Sequence, residues 1–381
     1  MSTLQVINAK HPSSASNNIV LDASGNAAFA GTVTTAGMVV PSSSFLRNRI
    51  INGDMRIDQR NAGAAVTLNG GGAYTVDRWL AADDTDGVFT AQRDTVAPTG
   101  HVNSLKITTT TADSSLSASQ NAFVLQRIEG NNIYDLAWGS ASAQTVTLSF
   151  WVRSSLIGTF GGSARNGDGT RSYPFTYVIS AANTWEYKTV TIPGDTSGTW
   201  LTDTGIGLQI CFGLGVGSSF SGTAGSWSGS NFLSATGAVS VIGTLNATWF
   251  VTGVQIEVGT AATPFERRQF GQELALCQRY CFVLDNSNNL GNGLWGSAYG
   301  TDRGRVWGSL PVTMRAYPTV TGLTGTGTFE LVGSGGVATA NVQFLQSAPN
   351  CISFDGTSLS TSAFLGQPLG YRGPGVVSAE L

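Results

Sequence analysis

The sequence is poor in charge and in histidine. Asp, Glu, Lys and Arg together make up 11% of the 381 residues, histidine occurs twice, and the formal net charge is −3. No cluster of Lys and Arg follows a helix face or a groove, so nucleic acid is not an expected partner. Both histidines, His11 and His101, lie in polar contexts without a nearby serine motif, which argues against a Ser-His-Asp triad.

Cysteine and long apolar runs are scarce as well. The four cysteines, at 211, 277, 281 and 351, have neither the density of a disulfide framework nor the CxxC spacing of a zinc site. No window approaches the roughly 18 apolar residues of a membrane span, and residues 1–30 lack the basic region and apolar run of a secretory signal. We therefore expect synthesis in a reducing cytoplasm, no membrane insertion, and neither a bound metal nor a cofactor.

Glycine, by contrast, is abundant, with 49 residues, and long stretches are rich in Ser and Thr. This composition favours short strands joined by turns. Between about 46 and 265, segments such as TVTLSFWVRSS, WEYKTVTI and GLQICFGLGV are rich in Val, Ile, Thr and aromatic residues, as strands are. Many strands without a long intervening helix predict a mainly β protein, with a central two-sheet sandwich of the jelly-roll type.

The first 45 residues carry little side-chain volume. Within them, IVLDASGNAAFAGTVTTAG predicts a β-hairpin that turns at Ser24-Gly25-Asn26. An isolated hairpin is marginal in water, so this N-terminal arm, 1–45, should borrow a core from other copies of the chain. A disordered arm is the alternative, because the composition is also typical of flexible segments.

One segment, TPFERRQFGQELALCQRYCFVL, has helical spacing. It places Phe270, Leu274, Cys277 and Cys281 on one face, so we expect a helix over about 267–282 that packs this face on the sandwich. The sandwich domain would then span 46–282. A Gly/Asn-rich linker follows, and residues 283–381 should form a small C-terminal β domain. Its predicted strands lie near 305–313, 328–332, 340–346 and 350–354.

Charged residues concentrate at 48–58, NRIINGDMRID, where they alternate imperfectly with apolar ones. This pattern is typical of the start of a strand with one buried face. Further on, Asp77-Arg78-Trp79 could place a guanidinium beside a carboxylate, with the indole as its platform. We interpret these charges as architectural, with a ligand site as the alternative.

The stretch NRIINGDMRIDQRNAG, followed by YTVDRWLAADD, resembles the start of a β-sandwich domain recurrent in bacteriophage tail-fibre and receptor-binding proteins. The similarity continues in the family's order through SFWVRSSLIGTF, GTRSYPFTYVISAANTWEYKTVTIPGDTSGTW and WFVTGVQIEVGTAATPFERRQFGQELALCQRYC, and covers roughly 46–282. LDASGNAAFAGTVTTAG is similar to the segments with which such fibres join their shafts. LPVTMRAYPTV and the final SAEL are similar to the family's C-terminal region.

This resemblance implies a structural protein of the virion, a tail fibre that binds a glycan of the host surface without enzymatic activity. It also implies a homotrimer that is attached to other tail or baseplate proteins through its N-terminal arms and meets host cell-surface polysaccharide at its distal end. Two alternatives stay open. The chain could be a fibre or decoration protein of the capsid, or a tailspike glycosidase that degrades polysaccharide.

Catalysis and calcium binding have weak support in the residues themselves. A glycosidase needs two paired carboxyl groups, but the candidate aspartates lie in turn-like sequence, where Asp is expected for its backbone hydrogen bonds. DDTDG at 83–87 and NGDG at 166–169 offer oxygens and a glycine turn, but lack the full ligand spacing of a calcium loop. The aspartates considered are Asp83, Asp84, Asp86, Asp195 and Asp203.

Aromatic residues are the stronger candidates for binding, since a flat exposed ring beside amides or charged groups suits the apolar face and hydroxyls of a sugar. One such set lies after residue 283, where aromatics are interleaved with polar residues that include Arg305. A second lies in the Ser/Gly-rich loop around 217–237. The alternative is that these rings pack in a core or an interface. We predict that glycan contacts are made by Trp295, Tyr299, Trp307, Asp302, Arg303 and Trp227.

Overall fold

The computed structural model describes residues 8–9, 19–21, 27–29, 47–284, 294–299, 303–321, 327–331, 337–357, 368–372 and 375–381. The chain forms two compact units, Met1–Phe45 and Leu46–Leu381. The second unit contains a β-sandwich, a short helix and a closed β-barrel.

The first unit contains a small antiparallel sheet. Its strands are β1 (Asn8–Ala9), β2 (Ile19–Leu21) and β3 (Ala27–Phe29), in that order. Pairing of Ile19 with Phe29 and of Leu21 with Ala27 confirms the predicted hairpin. Strand β1 adds a third strand that the sequence pattern did not predict.

Two six-stranded antiparallel sheets make the sandwich, as predicted. The first has the order β13-β10-β17-β8-β7-β4 and the second β12-β11-β14-β9-β6-β5, while β15 and β16 form a short parallel pair. The strands are β4 (Val66–Leu68), β5 (Gly71–Tyr74), β6 (Trp79–Asp83), β7 (Val88–Asp94), β8 (Ser104–Thr111), β9 (Asn121–Glu129), β10 (Val146–Ser154), β11 (Gly158–Arg165), β12 (Ser172–Ile179), β13 (Glu186–Ile192), β14 (Ile206–Val216), β15 (Ser221–Gly222), β16 (Ser234–Ala235) and β17 (Thr248–Val258).

The core between the sheets is rich in aromatic rings. Phe212, in β14 of the second sheet, is fully buried and lies at the centre of this cluster. Edge-on and tilted ring packing of this kind adds to the stabilisation from area burial alone. Phe212 packs against Phe150 (5.0 Å between ring centroids), Trp249 (5.5 Å), Phe175 (6.3 Å), Tyr177 (6.3 Å) and Trp79 (6.4 Å).

The α-helix that follows the sandwich is shorter than predicted. Helix α1 spans Phe270–Gln278, whereas the pattern predicted about 267–282. It begins only at Phe270 because Gln269 is extended, with φ −61° and ψ 146°. It ends early because the chain enters a new strand at Cys281. No helix within the described ranges is long and apolar enough to cross a membrane.

The face that α1 buries also differs from the prediction. Cys277 is buried and Leu274 half-buried, as expected, but Phe270 is 55% exposed. Glu273 is buried instead, and its carboxylate accepts hydrogen bonds from the backbone N–H of Asn52 and the guanidinium of Arg268. A buried carboxylate is tolerated only with such partners. These polar contacts orient the helix and leave Phe270 outside.

Residues 48–58 form an irregular segment, so the predicted strand start is wrong. Asn52, in the left-handed conformation at φ 56°, holds the segment together. Its side-chain amide donates to the carbonyls of Ile57 (2.7 Å) and Asp77 (3.0 Å), and its Oδ1 accepts from the N–H of Ile57 (3.0 Å). The apolar burial that the pattern indicated is nevertheless present. The buried residues are Ile50, Ile51, Met55 and Ile57.

Arg78 is buried and ion-paired, in line with an architectural role. Only 1% of its surface is exposed, it pairs with Glu380, and its Nη2 donates to the carbonyl of Arg127 at 2.6 Å. The ring beneath the guanidinium belongs to Tyr280, with 3.5 Å between the guanidinium carbon and the ring centroid. The predicted platform, Trp79, points into the core instead.

Beyond the helix, six strands close a barrel in the order β19-β20-β24-β23-β22-β25, and three form a separate sheet in the order β18-β26-β21. All four C-terminal strands predicted from the sequence are present within a few residues. The strands are β18 (Cys281–Leu284), β19 (Trp295–Ala298), β20 (Arg303–Ser309), β21 (Thr319–Thr321), β22 (Gly327–Leu331), β23 (Val337–Ala348), β24 (Cys351–Thr357), β25 (Pro368–Arg372) and β26 (Gly375–Ser378).

The sheet β18-β26-β21 connects the barrel to the sandwich. Leu284 pairs with Gly375, so the strands that leave for the barrel and return from it are neighbours. The guanidinium of Arg315 donates to the carbonyls of Ala379 and Glu380. The motifs LPVTMRAYPTV and SAEL therefore meet here. The domain boundary at 282/283 stays a prediction.

Candidate functional site

Strands β19 and β20 form a hairpin in the barrel wall whose outward residues are aromatic and polar. Side chains alternate between the two faces of a strand, so the odd-numbered residues of both strands share one face. The backbone N–H of Tyr299 donates to the carbonyl of Arg303 at 3.1 Å and extends the ladder beyond β19. The facing pairs on this side are Trp295 with Trp307, Ser297 with Arg305, and Tyr299 with Arg303.

The even-numbered residues point into the barrel. Val306 and Phe354 are fully buried there. At Gly296 the strands approach so closely that a side chain would collide with the carbonyl of Arg305, which only glycine avoids. The large rings lie on the other face of these strands and stay in solvent.

Three aromatic rings are exposed side by side as a result. Trp295 is 44% exposed, Tyr299 47% and Trp307 56%. Trp295 and Trp307 are directly opposite each other, which places their Cβ atoms about 4.5–5.5 Å apart. Single exposed apolar residues are ordinary, but a contiguous exposed cluster indicates a binding surface.

A charged pair lies between the aromatic rows. Arg305 and Asp355 are neighbours in the β20–β24 ladder, and the Nε and Nη2 of Arg305 donate to the two carboxylate oxygens at 3.2 and 3.4 Å. The hydroxyl of Tyr299 donates to Asp355 Oδ2 at 2.8 Å. We call Trp295, Ser297, Tyr299, Arg305, Trp307 and Asp355 together the aromatic face.

The contacts with Asp355 favour the protonated forms of Tyr299 and Arg305. Partial burial and the hydrogen bond to Asp355 raise the pKa of Tyr299. The same carboxylate, through its hydrogen bonds, raises the pKa of Arg305, which stays charged. The face thus offers a phenol, a guanidinium and a carboxylate in fixed positions.

A small notch opens on the aromatic face between the row of Trp307 and the row of Tyr299. Ser297, Tyr299, Arg305 and Trp307 line it, and its volume is about 240 Å³. Sites for drug-sized ligands usually measure about 300–1,000 Å³. The notch therefore suits a single ring-sized group that contacts both aromatic rings and the guanidinium.

Four of the six predicted contact residues come together here. Trp295, Tyr299 and Trp307 belong to the aromatic face, and Arg303 adjoins it as the partner of Tyr299 in the ladder. Asp302 lies outside the described residues.

Trp227 lies elsewhere, in a packed aromatic group of the sandwich. Its ring is edge-on to Trp138 at 5.4 Å and to Trp200 at 5.5 Å, and its indole N–H donates to the carbonyl of Pro193 at 2.8 Å. Trp138 and Trp200 are buried. The surroundings of Trp227 are those of a packing residue.

The sequence prediction missed Asp355 and Ser297. Asp355 lies 50 residues beyond Arg305, and only the pairing of β20 with β24 brings the two together. The alternation in CISFDGT was the available signal, since it separates Ser353 and Asp355 from the buried Ile352 and Phe354. The pattern gives the face of Asp355 but not its partner strand.

A second pocket, of about 150 Å³, lies beside residues 48–51 and 131–132. Two guanidinium groups line it, but Arg49 is paired with Asp135, and Arg268 with Glu273. Its charge is therefore held in internal pairs. In the part of the chain that the structure describes, no three His, Cys, Asp or Glu side chains lie close enough to hold a metal ion.

No family model matches the sequence, and no curated protein was found to be similar to it. Solved structures similar to part of the chain include the enzymatically active domain of tailspike protein 4 of bacteriophage CBA120, at 12% identity and a TM-score of 0.28. That match covers 56% of this chain and 21% of the tailspike domain, so it spans about a fifth of that protein.

Two carbohydrate-binding modules are also similar to the chain. A family 61 module in complex with β-1,4-galactotriose is 9% identical, with a TM-score of 0.29, and the match covers 56% of this chain and 99% of the module. A family 11 module of Clostridium thermocellum is 14% identical, with a TM-score of 0.27, and covers 53% of this chain and 98% of the module. At these values none of the three assigns a function to the chain.

Proposed function

We propose that the chain is a receptor-binding protein of a bacteriophage tail fibre, whose barrel binds host cell-surface polysaccharide through the aromatic face. The observation that carries the proposal is the exposed cross-strand pair of Trp295 and Trp307 beside the Tyr299–Asp355–Arg305 group. The sequence resemblance to phage fibres supports the placement in a virion. Protein synthesis would take place in the host cytoplasm.

The chemistry of the face fits a sugar. The apolar C–H side of a pyranose ring stacks on an indole or a phenol ring, while its hydroxyls bond to the polar groups around it. Tyr299 and Trp307 provide the rings of the notch, and Arg305 and Ser297 provide polar groups between them. Asp355 holds Arg305 in place, so little side-chain freedom is lost when a ligand binds.

The proposed protein binds its glycan without enzymatic activity. Glycoside hydrolysis ordinarily uses two carboxyl groups that flank the scissile bond. Among the described residues, the aromatic face contains one carboxylate, that of Asp355. Both of its oxygens already accept hydrogen bonds from Arg305 and Tyr299. Incubation with host polysaccharide should therefore release no reducing sugar. Release of reducing sugar would support the tailspike alternative.

Trp307→Ala should weaken glycan binding at least tenfold. The substitution removes the most exposed ring of the notch, and loss of about 1.4 kcal/mol of stacking energy corresponds to a factor of ten in the dissociation constant. A glycan array on the full-length protein would first identify a ligand, and calorimetric titration would then compare the variant with the wild type.

Tyr317→Ala is the matched control, since Tyr317 is 72% exposed and is not part of the aromatic face. It should bind like the wild type. Unchanged binding by Trp307→Ala would move the glycan site away from the barrel. Point substitutions are preferable to removal of 285–381, because residues 378–381 of that segment contact Arg60, Arg78 and Arg127 of the remaining chain.

The same proposal predicts a homotrimer joined through the arm 1–45 to other tail or baseplate proteins. The strands of the arm are only two or three residues long, and so small a sheet has little capacity to stabilise itself. Light scattering of the full-length protein should give three times the 39.6 kDa of one chain. A monomer at micromolar concentration would contradict the trimer. Electron microscopy of virions with this protein labelled would show whether it is attached to the tail or to the capsid.

A further inference from the structure

One ring of the aromatic face lies outside the notch. Trp295 is exposed beside Trp307, but the notch is lined by Ser297, Tyr299, Arg305 and Trp307. A group that fills the notch therefore contacts two of the three exposed rings. A second group is needed to use the third.

One of the two direct cross-strand neighbours of Trp295 is a glycine. On one side the strand of Trp295 pairs with β20, where Trp307 is its direct partner. On the other side it pairs with β25, where the residue directly opposite is Gly370, which has no side chain. No side chain of the neighbouring strand therefore stands directly across from the indole on that side.

Trp295 stands at the far end of the face from Tyr299. The backbones of the two residues are separated by four residues of extended chain, about 13 Å at roughly 3.3 Å per residue, and the ring of Tyr299 leans over Arg305, with 5.4 Å between its centroid and the guanidinium carbon. A sugar in the notch, which Trp295 does not line, therefore leaves the indole of Trp295 to the next sugar of the chain. The polar row of Ser297 and Arg305 lies between Trp295 and Tyr299 and can bond to the hydroxyls of a chain that crosses it.

We infer that the aromatic face binds an oligosaccharide of two or more residues that lies along β19, with one sugar in the notch and the next on Trp295. The inference rests on the proposed function and names its ligand class, an extended segment of a polysaccharide rather than a single terminal sugar. Trp295 is then the residue that makes affinity depend on the length of the ligand.

Calorimetric titration of the full-length protein tests this. The ligands are the defined mono-, di- and trisaccharides of the linkage series that gives the strongest signal on the glycan array. In the wild type the di- or trisaccharide should bind at least tenfold more tightly than the monosaccharide. Trp295→Ala should lose this gain, so that its affinities for the mono-, di- and trisaccharide agree within a factor of two.

Two further variants locate the effect. Tyr299→Ala should weaken monosaccharide and oligosaccharide binding by the same factor, because it alters the notch itself, and Trp295→Phe should keep part of the gain with length because it keeps a ring. Equal affinity for short and long sugars in the wild type would overturn the inference, as would an equal loss for all ligands in Trp295→Ala. Either result leaves glycan binding intact, whereas a wild type that binds no sugar overturns the proposed function as well.

Discussion

Replacing Arg78 by alanine should lower the free energy of unfolding by about 3–5 kcal/mol, the cost of breaking a buried ion pair by removing one partner. Glu380, which is also largely buried, would lose one of its two guanidinium partners and keep only Arg60 at 2.9 Å. The stacking of the guanidinium on Tyr280 would be lost as well. Equilibrium unfolding in urea measures the change.

Arg49→Ala is the matched control for this experiment. Arg49 also pairs with a carboxylate, that of Asp135, but both side chains are partly exposed, at 22% and 39%. Solvent screens such pairs, so the loss should be about 1 kcal/mol or less. If the two variants unfold at the same urea concentration, the Arg78 pair does not stabilise the fold as its burial indicates.

Phe212→Ala should cost about 3–5 kcal/mol, as expected for removal of a fully buried phenylalanine side chain. The ring contacts five other aromatic side chains contributed by both sheets, so its removal leaves a cavity that no single neighbour can fill. Thermal and urea unfolding should both show the loss. The secondary structure of the variant, followed by circular dichroism below its melting temperature, should stay that of a β protein.

The control is Phe270→Ala, which removes the same ring from the exposed side of α1. A surface substitution of this kind usually changes stability by no more than about 0.5 kcal/mol. Strong destabilisation by Phe270→Ala would mean that this ring is covered in the folded protein, as the helical spacing alone predicted, and would contradict the placement of the helix described above.

The sandwich was predictable because its strands have a simple signal. In β10, alternate residues such as Leu148, Phe150 and Val152 are fully buried, and this period of two is present in the sequence. The orientation of α1 was not predictable in the same way. The buried face contains Glu273, whose partners Asn52 and Arg268 are known only once the chain is folded.

The candidate site was predictable in its rings and not in its polar core. Trp295, Tyr299 and Trp307 are close together in the sequence, and their spacing already indicated an aromatic cluster. Asp355 comes from a strand whose pairing with β20 depends on closure of the barrel. Local pattern gives the face of each strand, while non-local pairing decides which charged groups meet.

The pairing of β18 with β26 would have a mechanical consequence if the barrel holds a host cell, as proposed. The chain enters the barrel after Leu284 and returns before Gly375, and these two residues are direct partners. A force that pulls on the barrel therefore acts along both strands in the same direction and does not separate β18 from β26 one hydrogen bond at a time. The load passes to the contacts at the base, where the backbone N–H of Ala379 donates to the carbonyl of Tyr280 and Glu380 is held by Arg60 and Arg78. These contacts would have to shear together before the barrel could come away from the sandwich.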